Sequence, residues 1–278
     1  MTVDQSTKDK AARLRALGTD TVLVLPNAWD AASAAVIAAA GAPAIATTSG
    51  GVAWSLGKGD GQQATREEML AAAARIAAAV DVPVTVDVEG GYGADPAEVA
   101  RTVAAVVAAG AVGINLEDSR AAGGPLFTPE EQAARIAAAR TAAAEAGLPE
   151  LVINARTDVY LFGIGEESGR QADVLTRAAA YAEAGADGLF VPGLLDLPAL
   201  TDLAERSPLP VNAMAGPGGP SVAELAKAGV RRVSVGTGVA QAAYTAARRA
   251  TLELLGAGSY DELADSLDFF QMNGLFSG

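Results

Sequence analysis

The sequence predicts a single (β/α)8 barrel, and three observations support this fold class. Eight short β-branched runs alternate with long Ala-rich segments along the 278 residues. Each run is largely apolar on both faces, which is typical of parallel strands covered on both sides. Several Ala-rich segments end in Ala-Gly-Ala or Ala-Gly-Val, a helix C-cap that leads into the next strand. Because no linker-like segment interrupts the series, a closed barrel of about 250 residues is favoured over a doubly wound open sheet.

The predicted strands follow one another at similar intervals, at residues 21–25, 44–47, 84–88, 112–116, 151–155, 188–191, 210–213 and 232–235. Helices are predicted between them, including residues 31–40, 66–80, 96–109 and 129–146. Thr65, Asp95 and Thr128 stand directly before three of these helices, where a short polar side chain caps free backbone N–H groups.

Both ends of the chain extend the predicted barrel. Residues 1–20 contain an N-terminal helix, and residues 241–278 form a C-terminal helical extension with helices at 241–255 and 259–273, the second capped by Ser259. Phe269, Phe270 and Phe276 are three of the chain's six phenylalanines. We expect this aromatic tail to pack either on a neighbouring subunit or on its own barrel. Residues 1–278 are predicted to form one domain.

Composition excludes several classes of function. The chain has 20 Lys and Arg against 33 Asp and Glu, a net charge of −13, which disfavours binding to nucleic acid or to an anionic membrane. It has no Cys and no His, so thiolate nucleophiles, disulfides, Ser-His-Asp triads and sites built on imidazole or sulfur are all excluded. None of its four lysines lies at a strand end, which disfavours a Schiff-base aldolase. With no signal peptide or membrane-length apolar segment, we expect a cytoplasmic protein.

Carboxylates cluster at the predicted strand ends, where barrels hold their active sites. Asp87 and Glu89 follow the third strand, and Glu117 and Asp118 follow the fourth. Such a group would repel unless a divalent cation neutralised it. An oxygen-only ligand set without His favours Mg²⁺, with Mn²⁺ possible.

Candidate substrate-binding residues lie at other strand ends. Arg156 follows the fifth strand and could bind a substrate carboxylate, or it could simply pair with Glu117. Thr47 and the consecutive residues Ser49, Gly50 and Gly51, whose amides could form an anion nest, follow the second strand. Asn212 lies near the end of the seventh strand and completes the candidate substrate-binding set.

Five segments at strand ends resemble one known family. They read Pro26-Asn27-Ala28-Trp29-Asp30, Thr48-Ser49-Gly50, Asp87-Val88-Glu89-Gly90-Gly91-Tyr92-Gly93, Asn115-Leu116-Glu117-Asp118 and Asn154-Ala155-Arg156-Thr157-Asp158. In order, and over nearly the whole chain, they resemble the isocitrate lyase/phosphoenolpyruvate mutase superfamily. The resemblance implies a barrel that binds Mg²⁺ and cleaves or forms C–C or P–C bonds of a 2-oxo acid through an enolate. It also implies a homotetramer, a dimer of dimers, whose paired subunits exchange their last barrel helix.

The resemblance implies roles for individual residues. Asp87 matches the direct metal ligand, while Asp60, Glu89 and Glu117 match carboxylates that hold metal-bound waters. Arg156 matches the arginine that binds the anionic end of the substrate. The stretch from Ser49 to Gly51 matches the backbone clamp on the substrate carboxylate, and Tyr92 matches the aromatic residue that follows the metal strand.

One departure narrows the expected reaction. The loop at residues 119–128 lacks the Cys, His and Lys of the superfamily's lyases, and the mutase's loop Asn is also absent. We therefore expect a lyase or oxaloacetate decarboxylase-like cleavage of a C–C bond in a small 2-oxo or 2-hydroxy di-acid. Arg156, Glu117, Tyr92 and Asp60 are the candidate catalytic residues, with Tyr92 or water protonating the enolate. The alternatives are a P–C bond hydrolase or phosphonomutase, and a non-catalytic 2-oxo acid binding protein.

Overall fold

A computed structural model describes residues 3–121 and 123–276 and confirms the (β/α)8 barrel. All the strand pairings are parallel, and each strand is followed by helical structure on the outside of the sheet. The strand segments are β1 (Leu23–Leu25), β2 (Asn27–Ala28), β3 (Ile45–Thr47), β4 (Val84–Asp87), β5 (Gly113–Glu117), β6 (Val152–Arg156), β7 (Gly188–Phe190), β8 (Val211–Met214) and β9 (Arg232–Ser234).

The first barrel strand is divided in two by Pro26. β1 pairs with β9 and β2 pairs with β3, so the two segments together close the ring of strands. Proline has no backbone N–H to donate, which explains why the barrel strand is interrupted at residue 26. The strand predicted at 21–25 corresponds to β1. Asn27 ties the closure together, because its side chain accepts from Val235 N at 3.0 Å and donates to Thr47 O at 3.0 Å.

The helices predicted between strands are confirmed, with ends one or two residues inside the predicted limits. The described helices are α1 (Gln5–Ala16), α2 (Ala31–Ala39), α3 (Ser49–Ser55), α4 (Arg66–Ala78), α5 (Pro96–Ala108), α6 (Pro129–Glu145), α7 (Glu167–Glu183), α8 (Leu197–Arg206), α9 (Val222–Lys227), α10 (Gly238–Gly256) and α11 (Phe269–Gly274). Thr65, Asp95 and Thr128 each accept a backbone hydrogen bond as the N-caps of α4, α5 and α6.

The single helix predicted at 259–273 is wrong. Ser259 does not cap it, because its Oγ donates to Glu253 Oε1 at 2.6 Å. The same Glu253 carboxylate accepts from Asp261 N and Glu262 N, which stabilises a separate 3₁₀ turn (Asp261–Leu263). α11 then begins independently, with Asp268 as its own N-cap. The helix predicted at 241–255 is confirmed within α10.

The last barrel helix, α10, leaves much of its apolar surface exposed. α10 packs mainly against β2 and the 3₁₀ turn, and its Leu252 and Leu255 are 58% and 80% exposed. Phe270 on α11 is 82% exposed. On the barrel wall, Val24 of β1 is 39% exposed although it lies on a strand. One sector of the barrel therefore lacks the helical cover that the other strands have. No helix within the described residues is long and apolar enough to cross a membrane.

Candidate active site

A cavity of about 140 Å³ opens at the carboxyl ends of the strands. Four predicted site residues line it: Ser49, Asp60, Asp87 and Arg156. Its apolar wall includes Leu161, Phe190, Pro192 and Met214. The cavity is small enough to enclose a compact molecule such as a three- or four-carbon acid, and it presents both carboxylates and a guanidinium to that molecule.

Asp87 is held rigidly at the end of β4. Its backbone N donates to Thr47 Oγ1 at 2.8 Å, and its Oδ1 accepts from Glu89 N at 3.1 Å. Burial raises the pKa of Asp87, Arg156 opposes this shift, and the Asp60 carboxylate adds to it. Thr47, predicted to bind substrate, therefore acts in the structure as a support for Asp87 and does not line the cavity.

α3 places Ser49, Gly50 and Gly51 in its first turn, next to the cavity. The gap around these glycines is narrow: a Cβ atom on Gly50 would lie 2.8 Å from Thr237 Cγ2 and 3.1 Å from Asp60 Oδ2. The lack of a side chain therefore lets the helix approach Asp60 closely. The first-turn N–H groups have no partner within the helix, so the predicted anion nest takes the form of a helix start.

Glu89 and Tyr92 occupy a tight loop after β4. Both have positive φ, 49° and 60°, which is a strained conformation for residues with side chains. Glu89 accepts from Gln62 N and, at 3.5 Å, from Tyr92 OH. Burial and the charge of Asp87 raise the pKa of Glu89 to about 7. Burial and Glu89 raise the pKa of Tyr92 above its ordinary range, so its hydroxyl stays protonated.

The side chain of Arg135 fixes the conformation of this loop through hydrogen bonds. Arg135 on α6 is buried and donates to Gly90 O, to Gly93 O at 2.6 Å and to Ala94 O at 2.8 Å. Because one guanidinium donates hydrogen bonds to three carbonyls of the loop, it holds the strained backbone in this conformation. Tyr92 itself lines a separate surface depression near Gln62, not the 140 Å³ cavity.

Arg156 lies between two carboxylates. Its Nη1 is 3.0 Å from Glu117 Oε2 on the neighbouring strand, and its Nε is 2.6 Å from Asp158 Oδ1. Burial raises the pKa of Glu117 well above its ordinary value, although Arg156 opposes the shift. The predicted pairing of Arg156 with Glu117 is thus present, while Arg156 also faces the cavity where it could bind a substrate. Glu117 does not itself line the cavity.

Asp158 connects Arg156 to the loop that follows β5. Its second carboxylate oxygen accepts from Ser119 Oγ at 2.6 Å, and both residues are buried. Ser119 begins the loop at 119–128, where it bridges to Leu126, while Arg120 pairs with Glu131 on α6. None of the described residues of this loop lines the cavity. Asp158 was not among the predicted site residues, although its place two residues after Arg156 puts both on the same side of the strand end.

The expectation that Asp118 adds a carboxylate to the mouth is wrong. Asp118 is fully buried and accepts from Arg177 Nη1 at 3.0 Å, from Tyr181 OH at 2.8 Å and from Asp158 N at 3.0 Å. Alternation along β5 explains this, because consecutive residues point to opposite faces and Glu117 takes the inward one. Asp118 joins the strand to α7 and performs no chemistry at the cavity.

Asn212 also lies away from the cavity, inside the barrel. Its Oδ1 accepts from Asn154 Nδ2 at 3.0 Å, and its Nδ2 donates to Ala213 O at 2.8 Å. Asn154 Nδ2 donates in turn to Asn115 Oδ1 at 2.9 Å, which also accepts from Arg232 Nη2 at 3.1 Å. These four residues form a polar layer across the barrel, and Asn115 is the member that reaches the cavity. Neither Asn115 nor Arg232 was predicted from the sequence to take part in this layer.

The carboxylates do not form a compact metal cage. Within residues 3–121 and 123–276, no three Asp, Glu, His or Cys side chains come together as a group that could hold a metal ion. Asp60 and Asp87 share the cavity, whereas Glu89 and Glu117 make the contacts with Gln62, Tyr92 and Arg156 given above. The predicted four-residue ligand set is therefore represented at the cavity by two of its members.

These features define a class of protein, a (β/α)8 barrel with two carboxylates and an arginine in a cavity at the carboxyl ends of its strands. The profile of one family, described as phosphoenolpyruvate phosphomutase, matches residues 14–255. The chain therefore belongs to the phosphoenolpyruvate mutase family, within the isocitrate lyase/phosphoenolpyruvate mutase superfamily of enzymes, which confirms the resemblance found in the sequence.

The relatives that resemble the chain are described by names of different activities. A solved structure described as a putative phosphonomutase from Burkholderia cenocepacia is 45% identical, with a TM-score of 0.81, and covers 91% of this chain and 100% of its own. The 2-methylisocitrate lyase of Salmonella typhimurium is 33% identical over 70% of this chain and 66% of its own length. The oxaloacetate decarboxylase of Pseudomonas paraeruginosa is 34% identical over 69% of this chain and 64% of its own length. The proteins that this chain resembles therefore include both lyases and mutases by name.

Proposed function

We propose that this protein is a Mg²⁺-dependent enzyme that cleaves a C–C bond in a small 2-oxo or 2-hydroxy di-acid, in the manner of an oxaloacetate decarboxylase or a related lyase. The observation that supports this most is the 140 Å³ cavity, which combines Asp60 and Asp87 with Arg156. The two carboxylates would hold a cation, and the guanidinium would bind an anionic group of the substrate.

The residues at the cavity fit Mg²⁺. The chain has neither His nor Cys, so its available side-chain ligands are oxygens, which Mg²⁺ prefers. Mg²⁺ in proteins is commonly held by one or two carboxylates and several waters, which agrees with two carboxylates at the cavity and no three-residue cage among the described residues. Asp87 would hold the ion directly, and Asp60, Glu89 and Glu117 would hold it through water, as the resemblance implies. When bound, Mg²⁺ supplies Lewis-acid stabilisation of the negative charge that develops on the 2-oxo group.

Arg156 would bind and orient the substrate. Asp158 and Glu117 fix the guanidinium through Nε and Nη1, so its plane is set before a ligand arrives. The first turn of α3 would receive the carboxylate next to the 2-oxo group through its free N–H groups. Leu161, Phe190 and Pro192 would exclude water from the bond that breaks.

The loop after β5 supports a reaction with modest demands on acid–base chemistry. It contains no Cys, His or Lys, so no side chain there has the usual properties of a catalytic acid at neutral pH. Oxaloacetate loses as CO₂ the carboxylate that lies β to its 2-oxo group. This step needs an electron sink, and the resulting enolate then needs one proton. Because Tyr92 keeps its proton firmly and does not line the cavity, we assign that protonation to water.

The test measures the turnover of oxaloacetate by the purified protein, before and after treatment with EDTA. The release of pyruvate is the readout. We expect activity that disappears with EDTA and returns with Mg²⁺ or Mn²⁺. Unchanged turnover without metal would refute the metal dependence. Binding of oxalate and Mg²⁺ by calorimetry, with no turnover of any candidate di-acid, would instead identify a non-catalytic 2-oxo acid binding protein.

A phosphonate substrate is the second candidate, because the Burkholderia structure with 45% identity is described as a putative phosphonomutase. Phosphonopyruvate differs from oxaloacetate in the group on its third carbon, so the same cavity could accept either compound. Both compounds are assayed at equal concentration. Pyruvate from oxaloacetate indicates C–C cleavage, phosphate and pyruvate from phosphonopyruvate indicate P–C hydrolysis, and phosphoenolpyruvate from phosphonopyruvate indicates a mutase.

We also propose that the protein assembles as a homotetramer, a dimer of dimers with α10 exchanged between paired subunits. Leu252 and Leu255 are exposed on α10, and Val24 is exposed on the sector of barrel wall that lacks helical cover. Apolar surface on both sides is what an exchanged helix would bury. Light scattering after size exclusion should give four times the 27.7 kDa chain mass, and Leu255→Glu should reduce it. A monomer at micromolar concentration would contradict the proposal.

A further inference from the structure

A second cavity lies at the opposite end of the barrel, beneath the amino ends of the strands. Its volume is about 440 Å³, about three times that of the 140 Å³ cavity at the carboxyl ends of the strands. Leu14 of α1 and Leu17, the residue that follows α1, cover one side, and Leu23 and Pro210 add further apolar surface. Asn154, Asn212 and Arg232 line it from the barrel interior. The cavity thus has an apolar mouth and a polar floor.

The floor of this cavity carries a cation without a carboxylate partner in the described structure. Arg232 Nη2 donates to the neutral Asn115 Oδ1 at 3.1 Å, while its Nε is buried and has no hydrogen-bond partner among the described residues. Burial lowers the pKa of Arg232 to about 10, with Asp87 as the opposing influence, so the side chain is still cationic at neutral pH. Arg232 is half-buried, and a guanidinium withdrawn from water without a carboxylate partner favours the binding of an anion.

The charges of the residues that line the cavity also favour an anion. Arg15 and Arg231 join Arg232 in the lining, and Asp187 is the carboxylate among the lining residues. Asp187 is already paired, with Arg15 at 2.8 Å and with Arg140 at 2.5 Å. The lining therefore carries a positive balance in a chain whose net charge is −13. The net negative charge of the protein repels anions. A site that binds an anion therefore needs a local excess of positive charge, which these arginines supply.

We propose that this lower cavity is a binding site for a short-chain carboxylate anion, with its carboxylate on Arg232 and its aliphatic tail against Leu14, Leu17 and Leu23. A guanidinium presents a fork that fits a carboxylate, and the leucines provide the apolar contact that a bare inorganic anion could not use. The site is separate from the reaction cavity, from which the polar layer of Asn115, Asn154, Asn212 and Arg232 divides it. It does not depend on which reaction the protein catalyses.

The test uses butyrate as the probe and methyl NMR of the leucines as the readout, because leucines report on the two cavities separately. Leu14, Leu17 and Leu23 line the lower cavity, and Leu161 lines the upper one. We expect butyrate to shift the three lower signals in a saturable way and to leave Leu161 nearly unchanged. Butyramide, which has the same shape without the charge, should shift none of them. Equal effects of butyrate and butyramide, or shifts at Leu161 alone, would overturn the proposal.

Two variants complete the test. Arg232→Met should raise the dissociation constant for butyrate by about tenfold or more, since it removes a charge-assisted contact. Arg248→Met, a matched change at an exposed arginine on α10 that does not line the cavity, should leave it unchanged. Undiminished binding in Arg232→Met would exclude Arg232 as the anion ligand. If that variant does not fold, the comparison of butyrate with butyramide on the unaltered protein still decides the proposal.

Discussion

Substitution of Glu89 should change how the stability of the metal-free protein depends on pH. Burial and Asp87 raise the pKa of Glu89 from 4.5 to about 7. A tenfold change in proton affinity between the folded and unfolded states is worth about 1.4 kcal/mol, so Glu89 accounts for up to about 3 kcal/mol of pH-dependent stability. Because the folded state binds the proton more tightly than the unfolded state, this stability is complete below pH 4.5. It is lost as the pH rises through about 7.

The assay is urea unfolding of the EDTA-treated protein at pH 5 and pH 8, for the unaltered chain and for Glu89→Gln. Glutamine keeps an acceptor for Gln62 N but cannot ionise. We expect the free energy of unfolding of the unaltered protein to fall between these pH values by about 2 to 3 kcal/mol more than that of the variant. Contributions from titrating groups that do not interact with Glu89 are common to both proteins and cancel in the comparison.

Glu145→Gln, on the exposed surface of α6, is the matched control and should behave like the unaltered protein. Added Mg²⁺ should reduce the difference, since a cation would favour the ionised form of Glu89 at pH 8. An identical loss of stability from pH 5 to pH 8 in the unaltered protein and Glu89→Gln would refute the reasoning. It would mean that Glu89 ionises in the folded protein as it does in the unfolded chain.

Three further changes test other parts of the site. Asp158→Asn should raise KM about tenfold with a smaller effect on kcat, because Arg156 loses a charged partner that holds it in place. Ser119→Ala leaves the 2.6 Å pair of Asp158 and Arg156 intact and should have little effect in the same kinetic assay. Gly50→Ala places a Cβ 3.1 Å from Asp60 Oδ2 and should lower activity and Mg²⁺ affinity measured by calorimetry, whereas Gly216→Ala meets no atom within 4 Å and serves as its control. Arg177→Met leaves Asp118 charged and buried and should cost about 3 to 5 kcal/mol in urea unfolding, and a loss below about 1 kcal/mol would contradict that role.

Local pattern was enough to predict most of the fold. The apolar runs gave all eight barrel strands, and the capping residues Thr65, Asp95 and Thr128 placed three helix starts correctly. These signals are short-range, because a strand's apolar character and a helix cap depend on a few neighbouring residues. The C-terminal helix failed for the opposite reason. Glu253 reaches past the end of its own helix to organise residues 259–262, and no helix signal in the sequence shows such a contact.

The candidate site was predictable only in part. Strand-end position identified Asp87 and Arg156, and the resemblance added Asp60, a residue whose loop gives no sign of the cavity. The direction of Asp118 and the role of Arg232 depend on partners 59 and 117 residues away, at Arg177 and Asn115. Such pairs are fixed by the three-dimensional register of the barrel. Composition and spacing along the chain do not contain that register.

The closure at Pro26 has a consequence for how the chain is made. Asn27 accepts a hydrogen bond from Val235, 208 residues further along, and β1 pairs with β9 alongside it. During synthesis β1 therefore remains without its partner β9 until almost the entire polypeptide has left the ribosome. Unpaired edges of this kind invite wrong pairings in a crowded cell, and long-range closures are slow to form. The nascent protein is thus the state in which chaperone binding would matter most.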